Sequence, residues 1–366
     1  MKKALLSRKF GVVIMHIAVA IIAIPAAILL YLVANSSGKP KAYVDKEGRI
    51  LPNSISEKSY IDVNGSKLGF FIKGKSRDNP VLLYLHGGMP DYFLTQKYPT
   101  GLDDVFTVVW WDQRGSGISY DARFKDRKME LDDVISDAKR ITDYLRSRFS
   151  QEKIYLMAHS GGSFLGIKVI SRYPELYKAY IGVAQISYQK LSEKKAYDYI
   201  IEQYRGNRSR RSIVTRLQEN PVKLTEPLPR EYVRIRDYAM HDLGIGTMHT
   251  MKNVVTGIFI PSLLFTEYSM KDKVGLWKGK ADAGISAMWK EIDTHNLKEE
   301  NTVFKMPIYI FHGAMDYTCS YELSKEYFES IQAPKKRFYT FNESAHSPIF
   351  EEPGKCIKII KEDVLQ

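Results

Sequence analysis

Residues 154–171 read IYLMAHSGGSFLGIKVIS, and this stretch decides the fold. Its first four residues form a continuous apolar run, which is typical of a short strand buried on both faces. Small residues then surround Ser160, and the remainder has the apolar spacing of a helix. A strand–turn–helix junction with the pattern G-x-S-x-G projects a serine hydroxyl into a cleft. Ala158 is small enough to stand at the first position of that pattern, so the stretch predicts Ser160 as a candidate nucleophile.

Strands and helices alternate on both sides of this junction. Further apolar runs predict strands at residues 81–85, 105–111, 179–183, 307–311 and 337–341. Residues 131–149 carry apolar side chains every three or four positions and predict a helix. Asn64-Gly65 lies between two apolar runs, at residues 60–63 and 68–72, and predicts a β-hairpin. Strands separated by helices predict a mostly parallel sheet with helices on both sides.

One long segment interrupts this alternation. Residues 187–301 have a largely helical pattern without a convincing buried strand, and they are too many for a loop. The segment predicts a helical cap over the sheet, between core residues 60–186 and 302–366. We expect apolar cap side chains to line a pocket, and they are Ile258, Phe259, Ile260, Leu263, Leu264, Phe265 and Trp277.

Two further residues complete the chemistry that a nucleophilic serine needs. Asp316 follows the predicted strand at residues 307–311, and His346 follows the strand at residues 337–341. The chain order Ser160, Asp316, His346, with each residue just past a strand end, predicts a catalytic triad. Ser160 would attack the substrate, His346 would take and return the proton, and Asp316 would orient the imidazole.

Backbone N–H groups at two glycines are candidates for an oxyanion hole. Gly88 follows the predicted strand at residues 81–85, and Gly161 begins the helix after the nucleophile. Preorganised N–H donors of this kind stabilise the negative charge that develops on the substrate oxygen. The sequence therefore predicts Gly88 and Gly161 as the donors.

These motifs together resemble the α/β-hydrolase fold, most closely its proline iminopeptidase-like branch. The matching features are His86-Gly87-Gly88, DQRGSGIS at residues 112–119, the Ser160 elbow, GAMD at residues 313–316 and HSP at residues 346–348. The resemblance covers roughly residues 60–360. It implies a mostly parallel sheet flanked by helices, with a helical cap insertion. The stretch at residues 112–119 is structural in that family and has no catalytic role here.

The chain departs from the family pattern at three places. Met89-Pro90 replaces the family's Pro-Gly after His-Gly-Gly, and Gly161 stands where an aromatic residue is common. We expect Gly161 to open the acyl pocket. Family aminopeptidases also hold the substrate's free amino group with acidic cap residues. Glu267 and Glu291 are candidates for that role only by their location in the cap.

Residues 10–33 contain no charged side chain and predict a transmembrane helix that remains in the protein as an uncleaved signal anchor. Four basic residues, Lys2, Lys3, Arg8 and Lys9, precede this span and favour a cytoplasmic N-terminus. The protein would then cross the cell membrane once, with the chain after the span on the extracytoplasmic side. Residues 1–34 would form the cytoplasmic flank and the anchor, and residues 35–59 would form a tether. A cleaved signal peptide is the alternative.

Composition narrows the function classes. The net charge is +12, but no nucleic-acid-binding motif accompanies it. Cys319 and Cys356 are the only cysteines, and no histidine spacing suggests a metal, so we expect neither a metal nor a cofactor. Five arginines between residues 205 and 216 form a basic cluster that is either a solvated face or a contact with anionic lipid.

The sequence therefore predicts a membrane-anchored serine hydrolase. It would cleave an ester or amide of a small molecule or short peptide through an acyl-enzyme. One alternative is an aminopeptidase of the proline iminopeptidase type. Another, from a different class of protein, is a catalytically silent binding module at the cell surface.

Overall fold

The computed structural model describes residues 2–124, 130–282 and 286–366. Within these ranges one sheet contains eight strands, and the α-helices surround it. The strands are β1 (Ile55–Val63), β2 (Ser66–Gly74), β3 (Val81–Leu85), β4 (Thr107–Asp112), β5 (Ile154–His159), β6 (Tyr177–Val183), β7 (Ile308–Gly313) and β8 (Lys336–Phe341). The strand order is β1-β2-β4-β3-β5-β6-β7-β8. The pairs β1–β2 and β2–β4 are antiparallel, and all other pairs are parallel. The predicted mostly parallel sheet is confirmed.

Helices follow the strands in the predicted alternation. Those before the cap are α1 (Lys2–Ala34), α2 (Leu131–Arg148) and α3 (Gly161–Arg172). The cap contains α4 (Gln189–Tyr204), α5 (Arg211–Glu219), α6 (Arg230–Asp242), α7 (Ile260–Leu264), α8 (Met270–Ala281), α9 (Ser286–Thr294) and α10 (Leu297–Glu300). After the cap come α11 (Tyr321–Ser330), α12 (Pro348–Glu351) and α13 (Pro353–Ile359).

The first hairpin begins earlier than the sequence predicts. Asn64 and Gly65 form its turn with φ of 49° and 74°, a left-handed conformation that these two residue types tolerate. However, β1 begins at Ile55, within the predicted tether of residues 35–59. Ile55 and Val63 are buried, whereas most side chains between them are partly exposed. A strand with one solvated face lacks the continuous apolar run by which the other strands were recognised.

Alternate residues of the central strands supply two apolar layers. Leu83 of β3 packs with α2 and α3 on one face of the sheet. Its neighbours Leu82 and Tyr84 pack on the other face, with the C-terminal helices. This two-sided burial explains why β3 reads as a continuous apolar run. Because β5, β6, β7 and β8 pair in parallel, their carboxyl ends lie at one edge of the sheet.

Between β6 and β7 the described residues form helices with a hydrophobic cluster of their own. Ala196 and Ile200 of α4 pack there against Tyr232 of α6. Two of the five arginines of the basic cluster are paired with carboxylates on α6, Arg210 with Asp242 and Arg216 with Glu231. These pairs partly neutralise the cluster.

Helix α1 is the only helix in the described ranges that is long and apolar enough to cross a membrane. Its residues Ile14–Ala34 have a mean hydropathy of 2.8, and none of that window is buried against the rest of the chain. A signal sequence near an N-terminus has the same character. The helix therefore fits either a membrane anchor or a signal sequence.

Candidate active site

Ser160 occupies a strained turn between β5 and α3. Its φ of 57° and ψ of −127° lie outside the regions that L-residues ordinarily adopt. The Ser160 N–H donates to the carbonyl oxygen of Val183 at 3.0 Å, and the Ser160 carbonyl accepts from the N–H of Ser163 at 2.8 Å. These bonds hold the turn at the end of β5, in the geometry that a nucleophile elbow requires.

Two glycines allow neighbouring backbone to approach this turn. A β-carbon at Gly162 would overlap the carbonyl oxygens of Leu85 and His86 at the end of β3. A β-carbon at Gly87 would lie 2.7 Å from the Ser160 β-carbon. Side chains at these positions would push the β3 exit away from Ser160, so the small residues around the elbow are a packing requirement.

Asp316 and His346 meet at the ends of β7 and β8. The His346 ring places Nδ1 2.9 Å from Asp316 Oδ2. The other oxygen, Asp316 Oδ1, accepts the N–H groups of Thr318 and Cys319 at 2.8 and 3.0 Å. Burial alone would raise the pKa of Asp316, but the charge and hydrogen bonds of His346 and His312 lower it below its ordinary value. Asp316 is therefore a carboxylate at neutral pH.

The His346 ring is suited to act as a base. Burial lowers its pKa below 6.5, although Asp316 opposes that shift. The imidazole is therefore neutral near pH 7 and has a free lone pair when Nδ1–H donates to Asp316. Among the residues that the structure describes, no hydrogen bond joins the Ser160 hydroxyl to this ring. Such bonds are often long without substrate.

A second histidine shares the Asp316 carboxylate. His312 Nε2 lies 3.3 Å from Asp316 Oδ2 and 2.8 Å from the carbonyl oxygen of Cys319. Both His312 and Asp316 are fully buried. The sequence places His312 four residues before Asp316, at the end of β7, but gave no signal for this contact. His312 holds Asp316 in place for His346.

The loop that carries His346 is held by hydrogen bonds to four backbone groups at and beside the histidine. The His346 N–H donates to the Gly246 carbonyl at 3.3 Å, and its own carbonyl accepts from His159 Nε2 at 2.9 Å. Glu351 Oε1 accepts the N–H groups of Ala345 and Ser347 at 3.0 and 3.2 Å. Its other oxygen accepts the N–H of His249, a cap residue, at 2.6 Å. Glu351 thus ties the histidine loop to the cap.

His159 belongs to a buried polar pair that the sequence did not reveal. Its Nδ1 lies 3.2 Å from Asp91 Oδ2, which also accepts the Tyr84 hydroxyl at 2.7 Å. Burial alone would lower the pKa of His159, but Asp91 raises it above its ordinary value. The His159 and His346 rings are 5.0 Å apart between centroids. His159 therefore positions His346 through its backbone.

The predicted oxyanion donors follow the two residues that meet at the elbow, since Gly88 follows Gly87 and Gly161 follows Ser160. Space around the Gly88 α-carbon is open, since a β-carbon there would meet no atom within 4 Å. Gly161 lies beside the Gly87 carbonyl carbon, which would be 3.8 Å from a β-carbon at residue 161. His86 fixes the exit from β3 by donating from Nδ1 to the Gly87 carbonyl at 3.0 Å, while its Nε2 accepts the N–H of Gln113 at 3.1 Å. Burial lowers the pKa of His86 to about 4, so the ring stays neutral.

The cap contacts the site through α9. The position of a Gly161 β-carbon lies 3.6 and 3.7 Å from Ile292 and Trp289 of α9. Of the seven cap residues expected to line a pocket, Phe265 is buried, whereas Phe259, Ile260 and Leu264 are 38–41% exposed. An apolar pattern on a cap helix shows that one face avoids water but does not show what covers that face.

Both acidic residues proposed for a substrate ammonium already have neighbours of opposite or potential positive charge. Glu267 is buried, accepts the Tyr92 hydroxyl at 2.5 Å and lies 3.5 Å from Lys73 Nζ. Glu291 lies 3.5 Å from His295 Nε2. A third cap acid, Glu193, is buried and receives two hydrogen bonds from Arg236, at 2.6 and 2.9 Å.

Glu193 nevertheless approaches the site through Gln189. Gln189 Nε2 donates to Glu193 at 3.0 Å, and Gln189 Oε1 lies 3.6 Å from the Cys319 thiol. That thiol neighbours the Ser160 side chain. In the described part of the chain, no group of three His, Cys, Asp or Glu residues is arranged to hold a metal ion.

The ionisation of Glu351 should affect how the reaction rate depends on pH. Burial raises its pKa to about 7, although the three N–H donors favour the ionised form, and Asp316 adds to the rise. Protonation of Glu351 below about pH 7 leaves its carboxyl group a weaker acceptor for the N–H groups of the histidine loop. The loop is therefore held best above about pH 7. On its acidic side, the pH–rate profile of wild type should therefore show the ionisation of Glu351 as well as that of His346. We expect Glu351→Gln to lower kcat about 10- to 100-fold, because displacing a catalytic group by about 1 Å has effects of that size.

The measurement is the pH–rate profile between pH 5 and 8.5, with Glu343→Gln as the control. Glu343 is exposed and lines the same roughly 410 Å³ cavity as Glu351. In the variant only the ionisation of His346 should remain, and the control should match wild type. The raised pKa means that the folded state binds the Glu351 proton more tightly than the unfolded state does. The free energy of unfolding of wild type should therefore decrease as the pH rises from about 4.5 to 7, and this decrease should be absent in the variant. A Glu351→Gln profile that superimposes on wild type would contradict the positioning role.

Comparisons with known proteins agree with this architecture. The family model Hydrolase_4, described as serine aminopeptidase S33, matches residues 81–251. A probable aminopeptidase, YbaC, from Bacillus subtilis is 30% identical over 304 residues, covering 82% of this chain and 94% of the relative. The solved proline iminopeptidase of Mycobacterium smegmatis has a TM-score of 0.61 at 14% identity and covers 85% of this chain and 98% of its own. An epoxide hydrolase of Bacillus megaterium has a TM-score of 0.51 at 18% identity, with 84% and 100% covered.

Proposed function

The chain belongs to the serine aminopeptidase S33 family of α/β-hydrolases, and on that premise we propose that it cleaves an ester or amide through an acyl-enzyme formed on Ser160. The observation that carries the proposal is the Asp316–His346 contact of 2.9 Å at the strand ends beside the Ser160 elbow. A carboxylate, a neutral imidazole and a serine on a strained turn are the groups that acyl transfer requires.

In the proposed mechanism His346 Nε2 accepts the Ser160 proton as the hydroxyl oxygen attacks the substrate carbonyl carbon. The carbonyl oxygen becomes an oxyanion, and the N–H groups of Gly88 and Gly161 donate to it. His346 then returns the proton to the leaving alcohol or amine, and the acyl group remains on Ser160. Water repeats the sequence and releases the acid. Asp316 stays ionised throughout and stabilises the imidazolium form of His346.

The residue at the nucleophile position separates this chemistry from that of the epoxide hydrolases of the same fold. Those enzymes and haloalkane dehalogenases would need an aspartate at residue 160. A serine there favours acyl transfer to a hydroxyl nucleophile.

We also propose that α1 remains attached and anchors the enzyme, with residues beyond Ala34 on the extracytoplasmic side. The charge-free span of residues 10–33 and the basic residues before it support this orientation. The proposed partners are therefore the lipid bilayer and a small-molecule or short-peptide substrate.

Release of an N-terminal amino acid is the second candidate function. The YbaC relative is named a probable aminopeptidase, and Glu193 approaches the site through Gln189. A substrate ammonium would have to compete with Arg236 for the Glu193 carboxylate. This competition favours substrates without an ammonium group.

We therefore expect kcat/KM for short-chain p-nitrophenyl esters to exceed that for prolyl-naphthylamide by about tenfold or more, since a charged hydrogen bond of about 1.5–3 kcal/mol is not offered to the ammonium. Steady-state assays of both substrates on the full chain measure this ratio. Equal or greater kcat/KM for the prolyl amide would contradict the preference. Glu193→Gln would then be the informative variant, because it should raise KM for the amide and leave ester hydrolysis unchanged.

A further inference from the structure

A segment of the cap presents apolar side chains to the outside. It comprises a π-helical turn, Val255–Phe259, followed directly by α7, and only Gly257 and Ser262 in it are buried. The exposed fractions are 36% for Val254, 57% for Val255, 40% for Phe259, 41% for Ile260 and 38% for Leu264. We call these five residues the cap patch. Apolar side chains exposed together on one segment are candidates for an interaction site.

The inner side of the segment is firmly packed, so the patch is a built feature of the cap. The Ser262 hydroxyl donates to the Phe259 carbonyl at 2.7 Å and accepts the Trp277 indole N–H at 3.0 Å. A β-carbon at Gly257 would overlap the Met251 side chain, so the backbone lies directly on it. Pro261 lacks an N–H and lies just after the π-helical turn, where it limits regular helical hydrogen bonding. The apolar side chains on the other side are therefore held outward.

The patch adjoins the end of the proposed membrane anchor. Ser37 Oγ donates to the carbonyl oxygen of Thr266 at 2.8 Å, two residues after Leu264. Lys273 Nζ donates to Ser36 Oγ at 2.7 Å, two residues after the last residue of α1. The residues just after α1 and those just after α7 are therefore joined by hydrogen bonds. We call the contact of Ser36 and Ser37 with Lys273 and Thr266 the junction. If α1 crosses a bilayer, this junction places the cap patch at its surface.

Charge around the junction matches an anionic lipid surface. The exposed lysines that flank the patch and the anchor are Lys39, Lys41, Lys252 and Lys271. Glu267 is the only acidic residue among residues 252–271, and it is buried beside Lys73. Residues 35–44 contain no acidic residue, and the bordering acids Asp45, Glu47 and Asp272 are paired with Arg49 or Lys58. An apolar face bordered by lysines is the pattern of a segment that lies in the interfacial layer of a membrane.

We propose that the cap patch inserts into the interfacial layer of the bilayer that α1 crosses, and that this contact holds the cap of the active site against the membrane. The inference rests on the proposed anchoring by α1. It assigns the patch to lipid, because the segment continues directly into the junction that binds the residues following α1.

The test measures membrane depth at single labelled cysteines in the full chain, reconstituted in nanodiscs that contain anionic lipid. Cys319 and Cys356 are buried, so an introduced surface cysteine labels selectively. An environment-sensitive fluorophore is placed at Phe259→Cys or, should that variant fold poorly, at Leu264→Cys. Val233→Cys on α6, which is 52% exposed, is the matched cap control. Ile22→Cys reports whether α1 lies in the bilayer.

Shallow spin-labelled lipid should quench the label at residue 259 at least about twofold more than the label at residue 233, as expected for a face in the headgroup–acyl boundary. The label at residue 22 should be quenched by deep spin-labelled lipid. Quenching at residue 22 with equal values at residues 259 and 233 would overturn the patch proposal and leave the anchor standing. Absence of quenching at residue 22 would overturn the anchor, and the patch proposal with it.

Discussion

Ser160→Ala should lower kcat for ester hydrolysis by about 10³-fold or more while the fold stays intact, because the nucleophile is lost and only transition-state binding remains. The substitution removes one oxygen from a buried turn whose backbone bonds to Val183 and Ser163 do not involve the side chain. Steady-state kinetics and thermal unfolding of the same preparations measure both parts of this expectation. The unfolding midpoint should stay close to that of wild type.

Ser163→Ala is the matched control, since Ser163 lies one turn further along α3. Its hydroxyl donates to the Ser160 carbonyl at 2.6 Å and accepts the Ile186 N–H at 2.9 Å. Losing these bonds should lower stability by about 1–3 kcal/mol and affect turnover far less. Retained turnover in Ser160→Ala would show that another residue carries the chemistry.

Asp316→Asn should lower kcat/KM by about 10⁴-fold, a magnitude taken from the corresponding substitution in other triads. The asparagine oxygen can still accept the N–H groups of Thr318 and Cys319, so the backbone remains satisfied. Its NH₂ group would then face His346 Nδ1 and oblige that nitrogen to accept. The proton of the ring would move to Nε2, where it blocks removal of the Ser160 proton.

Two further measurements separate this tautomer effect from simple damage to the fold. The double variant with Ser160→Ala should be about as slow as Ser160→Ala alone, because the triad acts as a unit. Asp91→Asn, at the second buried carboxylate–histidine pair, should cost far less activity because it reaches His346 only through His159. Equal losses for Asp91→Asn and Asp316→Asn would contradict the assignment of Asp316 as the orienting acid.

Acid stability provides an independent check on Asp316. Its pKa is lowered in the folded protein, so the ionised carboxylate stabilises the fold above the unfolded pKa of about 3.8. That stabilisation is lost as the pH falls through the folded pKa. In Asp316→Asn this part of the acid destabilisation should be absent.

The fold could be predicted from the sequence because its central strands are buried on both faces. Such strands appear as short apolar runs, and residues at their carboxyl ends lie at one edge of the sheet. This geometry is why Ser160, Asp316 and His346 could be nominated from the elbow pattern, the predicted strand ends and the chain order. The start of β1 at Ile55 was missed because one face of that strand is solvated.

The supporting residues could not be predicted in the same way. Glu351 binds backbone N–H groups, which any residue supplies, and so leaves no pattern in the sequence. The bond from His159 to the His346 carbonyl joins residues 187 positions apart. A buried polar contact over that distance depends on the completed fold, whereas strand and helix patterns are local.

What covers the exposed apolar residues of the cap could not be predicted for a related reason. Phe259, Ile260 and Leu264 have the spacing of a helix with one buried face, and a water-soluble cap would bury that face over the site. A bilayer is an alternative apolar environment that the spacing does not distinguish from a protein core. Near Gly161 the cap contacts are made by Trp289 and Ile292.

A catalytically silent binding module remains the alternative of a different class. Such a protein would have no need of a carboxylate held between two histidines or of a histidine loop fixed from three sides. Its Ser160 hydroxyl would not react with an electrophile that traps activated serines. Reactivity of Ser160 is therefore the property that separates the two classes.

The most direct measurement is labelling of the full chain with a fluorophosphonate, followed by mass spectrometric mapping of the adduct. The account predicts one adduct, on Ser160, that is absent from Ser160→Ala and strongly reduced in His346→Ala. An adduct on a different residue, or no adduct on folded protein that retains its native unfolding transition, would contradict the assignment of Ser160 as an activated nucleophile.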